Sequence, residues 1–372
     1  MAKRTVPFFP YPKVFTEYEE EIINVIRSVG RRGAFILQDD LEEFERNIAR
    51  LTGAKYCVGV GNATDGLWML CRAAGLGPGD EVIFCTHTMV ATAAGIYFTG
   101  ATPVPAEAGW DHEIDVTKIE ELITPRTKAI MVTQLNGRCA DMDALQDICN
   151  KHGLLLLEDA AQALGAKYKG KCAGTFGLGG VISFYPAKVL GCLGDGGCII
   201  TNNEEIYEKV RMYRDHGRKN TFESEVWSLN SRLDNLQAAI LNFKLTKYHQ
   251  WIERRRQIAR MYQERLSGIK EIVLPPGPDD DKDRYDIFQN YEIEADKRDE
   301  LQAYLRENGV GTIVQWGGKP VHMFRKLGFT QSLPYTESLF KRLLLLPMNH
   351  FLEDDDVEYI CDLIIKFYRR QS

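Results

Sequence analysis

The sequence predicts an α/β protein whose large domain is built on a mainly parallel sheet and is followed by a smaller α+β domain. Three observations support this fold class. Short apolar runs alternate with helical patterns through the first part of the chain. Near residue 234 the pattern changes to one long, charged helical stretch. The chain of 372 residues is also longer than one ordinary domain.

Six apolar runs are the predicted strands of the large sheet. Each is rich in leucine or β-branched residues and is bounded by Gly, Asp or Pro, which is typical of buried strands. Helical patterns lie between them, and two of these patterns end at a glycine, a common helix stop. This alternation indicates a mainly parallel sheet with helices on both faces. The runs are residues 55–61, 81–85, 128–134, 153–159, 180–185 and 196–201.

The second part of the chain predicts the smaller domain. Residues 234–269 form the long helical stretch, which we interpret as a connector between domains. After a loop rich in Pro and Asp, residues 291–316 predict a strand, a helix and a second strand, and residues 354–370 predict a terminal amphipathic helix. We therefore predict a large domain over 1–245, including an N-terminal arm, and a small domain over 246–372.

Composition and charge exclude several classes of protein. The formal net charge of −6 and the sequence pI of about 5.8 give no electrostatic footprint for nucleic acid. The N-terminal residues lack the apolar segment and cleavage site of a secretory signal, and no apolar run approaches the length of a membrane span. We expect a cytoplasmic protein with neither a nucleic-acid nor a membrane partner.

The nine cysteines are scattered and none forms a CxxC pair. An odd count with irregular spacing argues against a disulfide scaffold and against a zinc site. The sequence therefore predicts a reduced protein without a metal site.

The turn after the first strand reads "GVGNATDGL", residues 59–67. It passes from a strand through small residues into a helix start, where free backbone N–H groups and the helix dipole favour an anion. Thr64 adds a hydroxyl. One interpretation is a phosphate cradle and the other is an ordinary tight turn. The stretch does not fit the GxGxxG pattern of dinucleotide sites, because its third glycine is displaced.

Two further stretches place charged side chains at the same edge of the sheet. Glu158 and Asp159 end a very apolar strand, and ligands of open α/β sheets bind beyond the carboxyl ends of strands. The alternative is that Asp159 caps a helix over the following "AAQA" residues. Lys188 follows the strand "VISFY" and is either a solvated surface residue or a functional amine.

A lysine, an acid and a phosphate cradle at one sheet edge are the groups that pyridoxal phosphate requires. The lysine forms the Schiff base, the acid keeps the pyridine nitrogen protonated, and the cradle holds the phosphate. The displaced lysine can then shuttle the proton. Each signal alone has an ordinary structural explanation, whereas the combination favours this cofactor.

The stretches "GNATDGL", "EDAAQALGA", "SFYPAKVLGCLGDGG" and "NSRLDNLQAAIL" resemble the DegT/DnrJ/EryC1/StrS family of sugar aminotransferases. The resemblance covers nearly the whole chain. It implies the aspartate aminotransferase-like architecture (fold type I), with a large, mainly parallel seven-stranded sheet. It also implies a homodimer with active sites at the subunit interface.

The resemblance assigns expected roles residue by residue. Lys188 resembles the Schiff-base lysine, Asp159 the partner of the pyridine nitrogen, and Gln162 the residue near the phenolic oxygen of the cofactor. Asn230 is similar to an asparagine that reaches the phosphate from the neighbouring subunit. The expected phosphate contacts are the backbone of Ala63 and Thr64, the Thr64 hydroxyl and Ser183.

Departures from the family pattern imply a different fit around the cofactor at Met89 and, in the segments of Gln134 and of residues 316–322, leave the particular sugar open. Met89 stands where the family has an aromatic residue against the pyridine ring, although a thioether also packs on a ring face. Gln134 replaces a histidine in a segment expected to contact substrate. Other candidate substrate contacts, each with an ordinary structural alternative, are Phe35, Trp316, Lys319 and His322.

The predicted activity is transfer of an amino group to the keto group of a nucleotide-linked deoxysugar, with L-glutamate as the donor implied by the resemblance. Two alternatives remain. One is a sugar enzyme of the same fold with a dehydratase-like outcome, in which relatives replace the lysine by histidine. The other is a non-catalytic binding or regulatory relative. The presence of Lys188 and Asp159 argues against both.

Overall fold

The computed structural model describes residues 4–219 and 222–369. Its strands follow the predicted alternation with helices. They are β1 Tyr56–Val60, β2 Glu81–Cys85, β3 Thr102–Ala106, β4 Thr127–Thr133, β5 Leu155–Asp159, β6 Lys167–Tyr168, β7 Lys171–Cys172, β8 Gly180–Ser183, β9 Gly197–Thr201, β10 Ile272–Val273, β11 Arg284–Tyr285, β12 Tyr291–Ala295 and β13 Leu343–Leu346.

The α-helices pack on both faces of the large sheet and on the small sheet. They are α1 Lys13–Thr16, α2 Glu19–Arg32, α3 Asp39–Thr52, α4 Ala63–Ala73, α5 Val90–Tyr97, α6 Met142–His152, α7 Glu204–Tyr213, α8 Asn235–Leu245, α9 Tyr248–Leu266, α10 Arg298–Glu307, α11 Pro334–Leu339 and α12 Asp354–Arg369. None of the helices in the described ranges is both long enough and apolar enough to cross a membrane.

The large sheet has seven strands in the order β1-β9-β8-β5-β4-β2-β3. Strands β8, β5, β4, β2 and β3 pair in parallel, and β9 runs antiparallel to both β8 and β1. The prediction of a mainly parallel sheet is confirmed. Six of its strands coincide with the six predicted apolar runs.

Strand β3 was not among the runs identified from residue patterns. Its sequence, TPVPA, contains two prolines, which lack the N–H that a central strand needs. The structure places β3 at the edge of the sheet, where β2 is its one partner strand within residues 4–219 and 222–369. The edge position therefore explains a strand that composition alone would discourage.

The C-terminal part differs from the expectation in two places. The long helical stretch is two helices, because α8 ends at Leu245 and α9 begins at Tyr248. The expected second strand near residues 311–316 is also absent from the structure described there: Ile313 forms only an isolated bridge to Leu345, and β13 completes the antiparallel sheet β10-β12-β13. The terminal helix is α12, as predicted.

Helix α9 passes from one hydrophobic core to another. Its first turn contributes Tyr248 and Trp251 to the core beneath the large sheet. From Ile258 onward its buried side chains join the core that contains the small sheet and α12. The domain limit at residue 245 stays a prediction.

Candidate active site

A cavity of about 420 Å³ opens at the carboxyl edge of the large sheet. Asp159 ends β5 and Ser183 ends the neighbouring parallel strand β8, so topology brings both side chains to this edge. A larger groove of about 800 Å³ lies elsewhere, beside Arg50 and Tyr285, and includes neither Lys188 nor Asp159. Eight predicted site residues line the edge cavity: Ala63, Thr64, Met89, Asp159, Gln162, Ser183, Lys188 and Trp316.

The N-terminus of α4 forms one side of the cavity. Asn62 caps this helix, and its side-chain oxygen accepts a hydrogen bond of 2.8 Å from the N–H of Asp65. The first N–H groups of a helix have no partner within the helix, and the helix dipole adds partial positive charge there. Ala63 and Thr64 therefore present backbone donors, and Thr64 a hydroxyl, to an anion in the cavity.

We expect Gly197→Ala to weaken cofactor binding about tenfold or more, which is the cost of modest overpacking. A Cβ at Gly197 would lie 2.9 Å from the backbone nitrogen of Ala63, so β9 or the start of α4 must shift. Titration of the cofactor-free protein with pyridoxal phosphate measures the effect. Gly268→Ala is the control, because a Cβ there meets nothing within 4 Å. A Kd for Gly197→Ala equal to that of the control would contradict the assignment of the cradle.

Asp159 is a buried carboxylate held by hydrogen bonds. Its Oδ2 accepts from the Thr92 hydroxyl at 2.6 Å, and its Oδ1 accepts from the Ala161 N–H at 3.2 Å. Burial raises the pKa of Asp159, whereas these two hydrogen bonds and the charge of Lys188 lower it. The alternative that Asp159 caps a helix is wrong, since residues 160–166 form turns rather than a helix.

The neighbouring acid, Glu158, faces away from the cavity. Its carboxylate accepts hydrogen bonds of 2.6 Å from the N–H groups of Gly174 and Phe176. Gln134 completes this buried group by donating to Glu158 at 2.7 Å and accepting from the Ala140 N–H at 2.9 Å. The Gln134 side chain is fully buried and holds a loop in place, so it is not itself a substrate contact. Its neighbours in the same segment line the cavity, so the expectation for the segment stays a prediction.

Lys188 lies in the turn that follows β8. Its N–H donates to the Tyr185 carbonyl at 2.8 Å, and the next N–H, of Val189, donates to the side chain of Gln289 at 3.0 Å. Burial lowers the pKa of Lys188 to about 8, although the charge of Asp159 acts in the opposite direction. A larger fraction of this amine is therefore neutral near physiological pH than of an ordinary lysine.

Gln162 is oriented by backbone at the far wall of the cavity. Its side-chain oxygen accepts from the N–H of Asn136 at 2.7 Å. With that oxygen engaged, the amide NH2 is the group that Gln162 offers as a donor toward a ligand. Asn136 has a left-handed backbone, with φ of 54°, which directs its N–H at Gln162.

Some cavity residues carry functional groups that the residue patterns did not identify. A chain of hydroxyls runs from Thr133 through Thr88 to Thr92, with distances of 3.2 Å and 2.7 Å, and ends on Asp159. Tyr185 and Asp195 also line the cavity. Both lie in the quoted stretch around Lys188, but only the folded chain shows that their side chains border the cavity.

The other candidate residues lie outside the cavity wall of this chain. Phe35, Lys319 and Asn230 are exposed, and Asn230 forms a bridge with Asp215. His322 is fully buried, with its ring nitrogens 3.1 Å from the Thr86 hydroxyl and 3.3 Å from Glu337. The alternative of a surface histidine is therefore wrong, and no surface of His322 is open to a substrate in this conformation.

The donor set of the cavity fits pyridoxal phosphate. Backbone N–H groups and hydroxyls suit the phosphate, a buried carboxylate suits the pyridine nitrogen, and a lysine with a lowered pKa suits the aldehyde carbon. Met89 is half exposed at the cavity wall and offers its thioether to a ring face.

Fold and cavity together place the chain among the pyridoxal-phosphate aminotransferases. The chain belongs to the DegT/DnrJ/EryC1/StrS aminotransferase family, whose sequence model matches residues 16–365. It is 41% identical to the Pleiotropic regulatory protein of Geobacillus stearothermophilus over 370 residues, which cover 98% of this chain and 99% of the relative. It is 37% identical to the dTDP-3-amino-3,4,6-trideoxy-alpha-D-glucose transaminase of Streptomyces venezuelae over 371 residues, covering 98% and 97% of the two chains.

Solved structures agree with the family. DesV of S. venezuelae, in complex with a ketimine intermediate, superimposes with a TM-score of 0.93 at 36% identity and 98% coverage of both chains. NtdA of Bacillus subtilis, with bound cofactor PMP, has a TM-score of 0.88 at 27% identity, covering 97% of this chain and 85% of NtdA. The predicted family, fold and cofactor are confirmed.

Proposed function

We propose that this aminotransferase moves an amino group from L-glutamate to the keto group of a nucleotide-linked deoxysugar. The observation that carries the proposal is the pairing of Lys188 with buried Asp159 on one cavity, beside the N-terminus of α4. The names of several relatives support the substrate class. They include transaminases of a dTDP-linked trideoxyglucose and of UDP-2-acetamido-2-deoxy-3-oxo-D-glucuronate.

Each cavity residue has a proposed task. Bound pyridoxal phosphate supplies an electron sink for the carbon that loses its proton. Lys188 Nζ takes the proton from the α-carbon of the donor and later returns one to the sugar carbon. Asp159 holds a proton on the ring nitrogen, and Gln162 donates a hydrogen bond from its side-chain NH2 to the phenolic oxygen. Ala63, Thr64 and Ser183 bind the phosphate, and Met89 packs on the ring.

Trp316 is the candidate substrate contact that lies on the cavity wall. Its flat ring suits a sugar or base. Phe35 and Lys319 would contact substrate only if neighbouring segments, or a second subunit, brought the substrate to them. For His322 the burial argues for a structural task instead.

The active protein is proposed to be a homodimer with Asn230 reaching the phosphate site of its partner. In support, Asn230 is exposed and lies outside the cavity of its own chain. The segment beside it also exposes large apolar side chains, since Phe222 and Trp227 are 97% and 93% exposed. Such side chains are commonly covered by a partner subunit.

A complementation experiment tests this dimer. Lys188→Ala and Asn230→Ala chains are each expected to have low activity alone. Mixed and reassociated, they form heterodimers with one intact site, so about a quarter of wild-type activity should return. Activity that stays at the average of the two separate variants would place Asn230 outside the partner's site.

A cytoplasmic location is proposed from cysteine usage. All nine cysteines are free and buried. Unpaired thiols in this number are typical of a reducing compartment.

The experiment that tests the proposed function follows the cofactor in two steps. The purified protein with bound pyridoxal phosphate should lose its visible absorption when L-glutamate is added, with one 2-oxoglutarate formed per site. A set of nucleotide-linked keto-sugars, differing in nucleotide and in keto position, should then restore the absorption with a matching amino-sugar product. Loss of absorption with another amino acid only would replace the donor, and no recovery with any keto-sugar would overturn the substrate class.

A regulatory role is the second candidate, because two relatives are called a pleiotropic regulatory protein and a sensory transduction protein. Lys188 and Asp159 both line the cavity, as catalysis with the cofactor requires, and this favours a catalytic role. The same two-step experiment separates the candidates, since a regulatory protein that only binds the cofactor would leave both steps without turnover.

A further inference from the structure

Three side chains of metal-binding type are buried together outside the active-site cavity. They are His87, just after β2, His112, in the loop after β3, and Glu292, on strand β12. One potential ligand atom from each lies within 4.8 Å of the others. This cluster joins the edge of the large sheet to the small sheet.

The spacing within the cluster suits a shared metal ion. Glu292 Oε2 lies 3.4 Å from His87 Nε2 and 3.0 Å from His112 Nδ1. Ligands bound tetrahedrally to zinc at about 2.0–2.1 Å are separated from one another by about 3.3 Å. The three ligand atoms could therefore bind one ion with small side-chain adjustments.

The cluster also contains polar atoms without partners. His87 is fully buried; its Nε2 has the 3.4 Å contact with Glu292 but no well-formed hydrogen bond, and its Nδ1 has no hydrogen-bond partner among the described residues. Glu292 Oε1 is likewise buried without a partner in that part of the chain. Buried groups of this kind are normally satisfied, and their lone pairs are available to a metal ion.

The surroundings resemble the outer shell of a metal site. The second ring nitrogen of His112, Nε2, lies 3.5 Å from a carboxylate oxygen of Glu294. Metal-binding histidines usually direct their second nitrogen at such a group, which fixes the ring and its tautomer. Asn136 donates to Glu292 Oε2 at 3.0 Å and so holds the carboxylate from the other side.

Two members of the cluster border a small cavity. A cavity of about 30 Å³ touches His112, Glu292 and Asn136. This is room for one water molecule, which would complete a four-coordinate ion. Arg138 also borders the space, but Asp286 at 2.6 Å and Asp281 at 3.1 Å balance its charge.

We propose that His87, His112 and Glu292 bind one Zn²⁺ ion, with a water molecule from this cavity as the fourth ligand. Two imidazoles and a carboxylate are a common zinc donor set. The site would fasten the β2 and β3 loops to strand β12. Through Asn136, whose N–H orients Gln162, it would also support one wall of the active-site cavity. The proposal does not depend on the substrate or on turnover.

The competing occupant is a proton. Without a metal, His112 and Glu292 form a buried ion pair. Burial lowers the pKa of His112, but hydrogen bonds to Glu292 and Glu294 outweigh this effect and raise it to about 9. Zn²⁺ must displace this proton from His112. The experiment therefore has to distinguish bound Zn²⁺ from a protonated His112 paired with Glu292.

The test uses the holoenzyme after treatment with a chelator and gel filtration. Zn²⁺ is added in small excess, unbound metal is removed, and the metal per chain is measured by plasma mass spectrometry. We expect one Zn²⁺ per chain in the wild type and in His249→Gln, an exposed histidine control. We expect His87→Gln and Glu292→Gln to lose affinity at least tenfold, since even outer-shell changes cost about 10–100-fold.

A second measurement covers the case in which the variants fail to fold. Co²⁺ bound to the wild-type holoenzyme should give the intense visible bands of a four-coordinate ion. A wild type that retains no Zn²⁺, or Co²⁺ bands typical of a six-coordinate surface ion, would overturn the proposal and leave the protonated pair. Affinity unchanged in both folded variants would overturn it as well.

Discussion

Replacing Lys188 by alanine is expected to lower the rate of amino transfer by about a thousandfold or more, because one positioned acid–base group contributes about 10²–10⁴-fold. The loss follows from the position of the amine. Lys188 lies on the cavity that contains Asp159 and the N-terminus of α4, and burial lowers its pKa to about 8. Single-turnover measurement of 2-oxoglutarate release from L-glutamate gives the rate directly.

Two controls separate amine chemistry from charge and folding. Lys188→Arg keeps the positive charge but does not release its proton, so it should be as inactive as the alanine variant. Lys128→Ala changes an exposed lysine on β4 and should leave the rate unchanged. Substantial turnover in Lys188→Arg would show that charge alone is needed and would remove Lys188 from proton transfer.

The lowered pKa of Lys188 also sets a pH dependence. At pH 7 an amine of pKa about 8 is roughly a tenth neutral, a few hundredfold more than an ordinary lysine. The rate of cofactor uptake by the cofactor-free protein should rise with pH and level off above about 8. Because the charge of Asp159 raises the pKa of Lys188, Asp159→Asn should move that midpoint to lower pH.

The sequence was sufficient to predict the residues at the sheet edge. Parallel strands end on the same side, so a strand-end Asp159 and a lysine just beyond β8 had to approach one another. The order of the strands did not follow from the pattern of residues. The proline-containing strand β3 also lacked the pattern of a buried strand, because its edge position relaxes the need for N–H donors.

The sequence did not show which side chains of these segments face the cavity and which are buried away from it. Glu158 and Asp159 are adjacent, yet one holds a loop and the other faces the cavity, because successive side chains of a strand point to opposite faces. Gln134 and His322 lie in segments expected near substrate, but both are buried. His87, His112 and Glu292 are far apart in the sequence, so no local spacing indicated that these three side chains would meet.

Replacing Asp159 by asparagine is expected to lower the rate of amino transfer by about 10²–10³-fold, the usual cost of removing one preorganised electrostatic group. The amide has nearly the same shape: its oxygen can still accept from the Ala161 N–H, while its NH2 would donate to the Thr92 hydroxyl, which reverses its role. What is lost is the negative charge that is proposed to hold a proton on the ring nitrogen. The rate is again measured in a single turnover with L-glutamate.

Neighbouring substitutions show whether the effect belongs to the Asp159 carboxylate. Thr92→Val removes the 2.6 Å hydrogen bond that lowers the pKa of Asp159 but keeps the carboxyl group itself, so about a tenfold loss is expected. Glu158→Gln changes the adjacent buried acid, which accepts hydrogen bonds from loop N–H groups. It should lower the free energy of unfolding and leave turnover of the folded protein nearly unchanged. If Glu158→Gln reduced turnover as much as Asp159→Asn in a folded protein, the partner of the ring nitrogen would have to be reassigned. The largest loss in Asp159→Asn, a smaller loss in Thr92→Val and near-normal turnover in Glu158→Gln would assign the electrostatic effect to the Asp159 carboxylate.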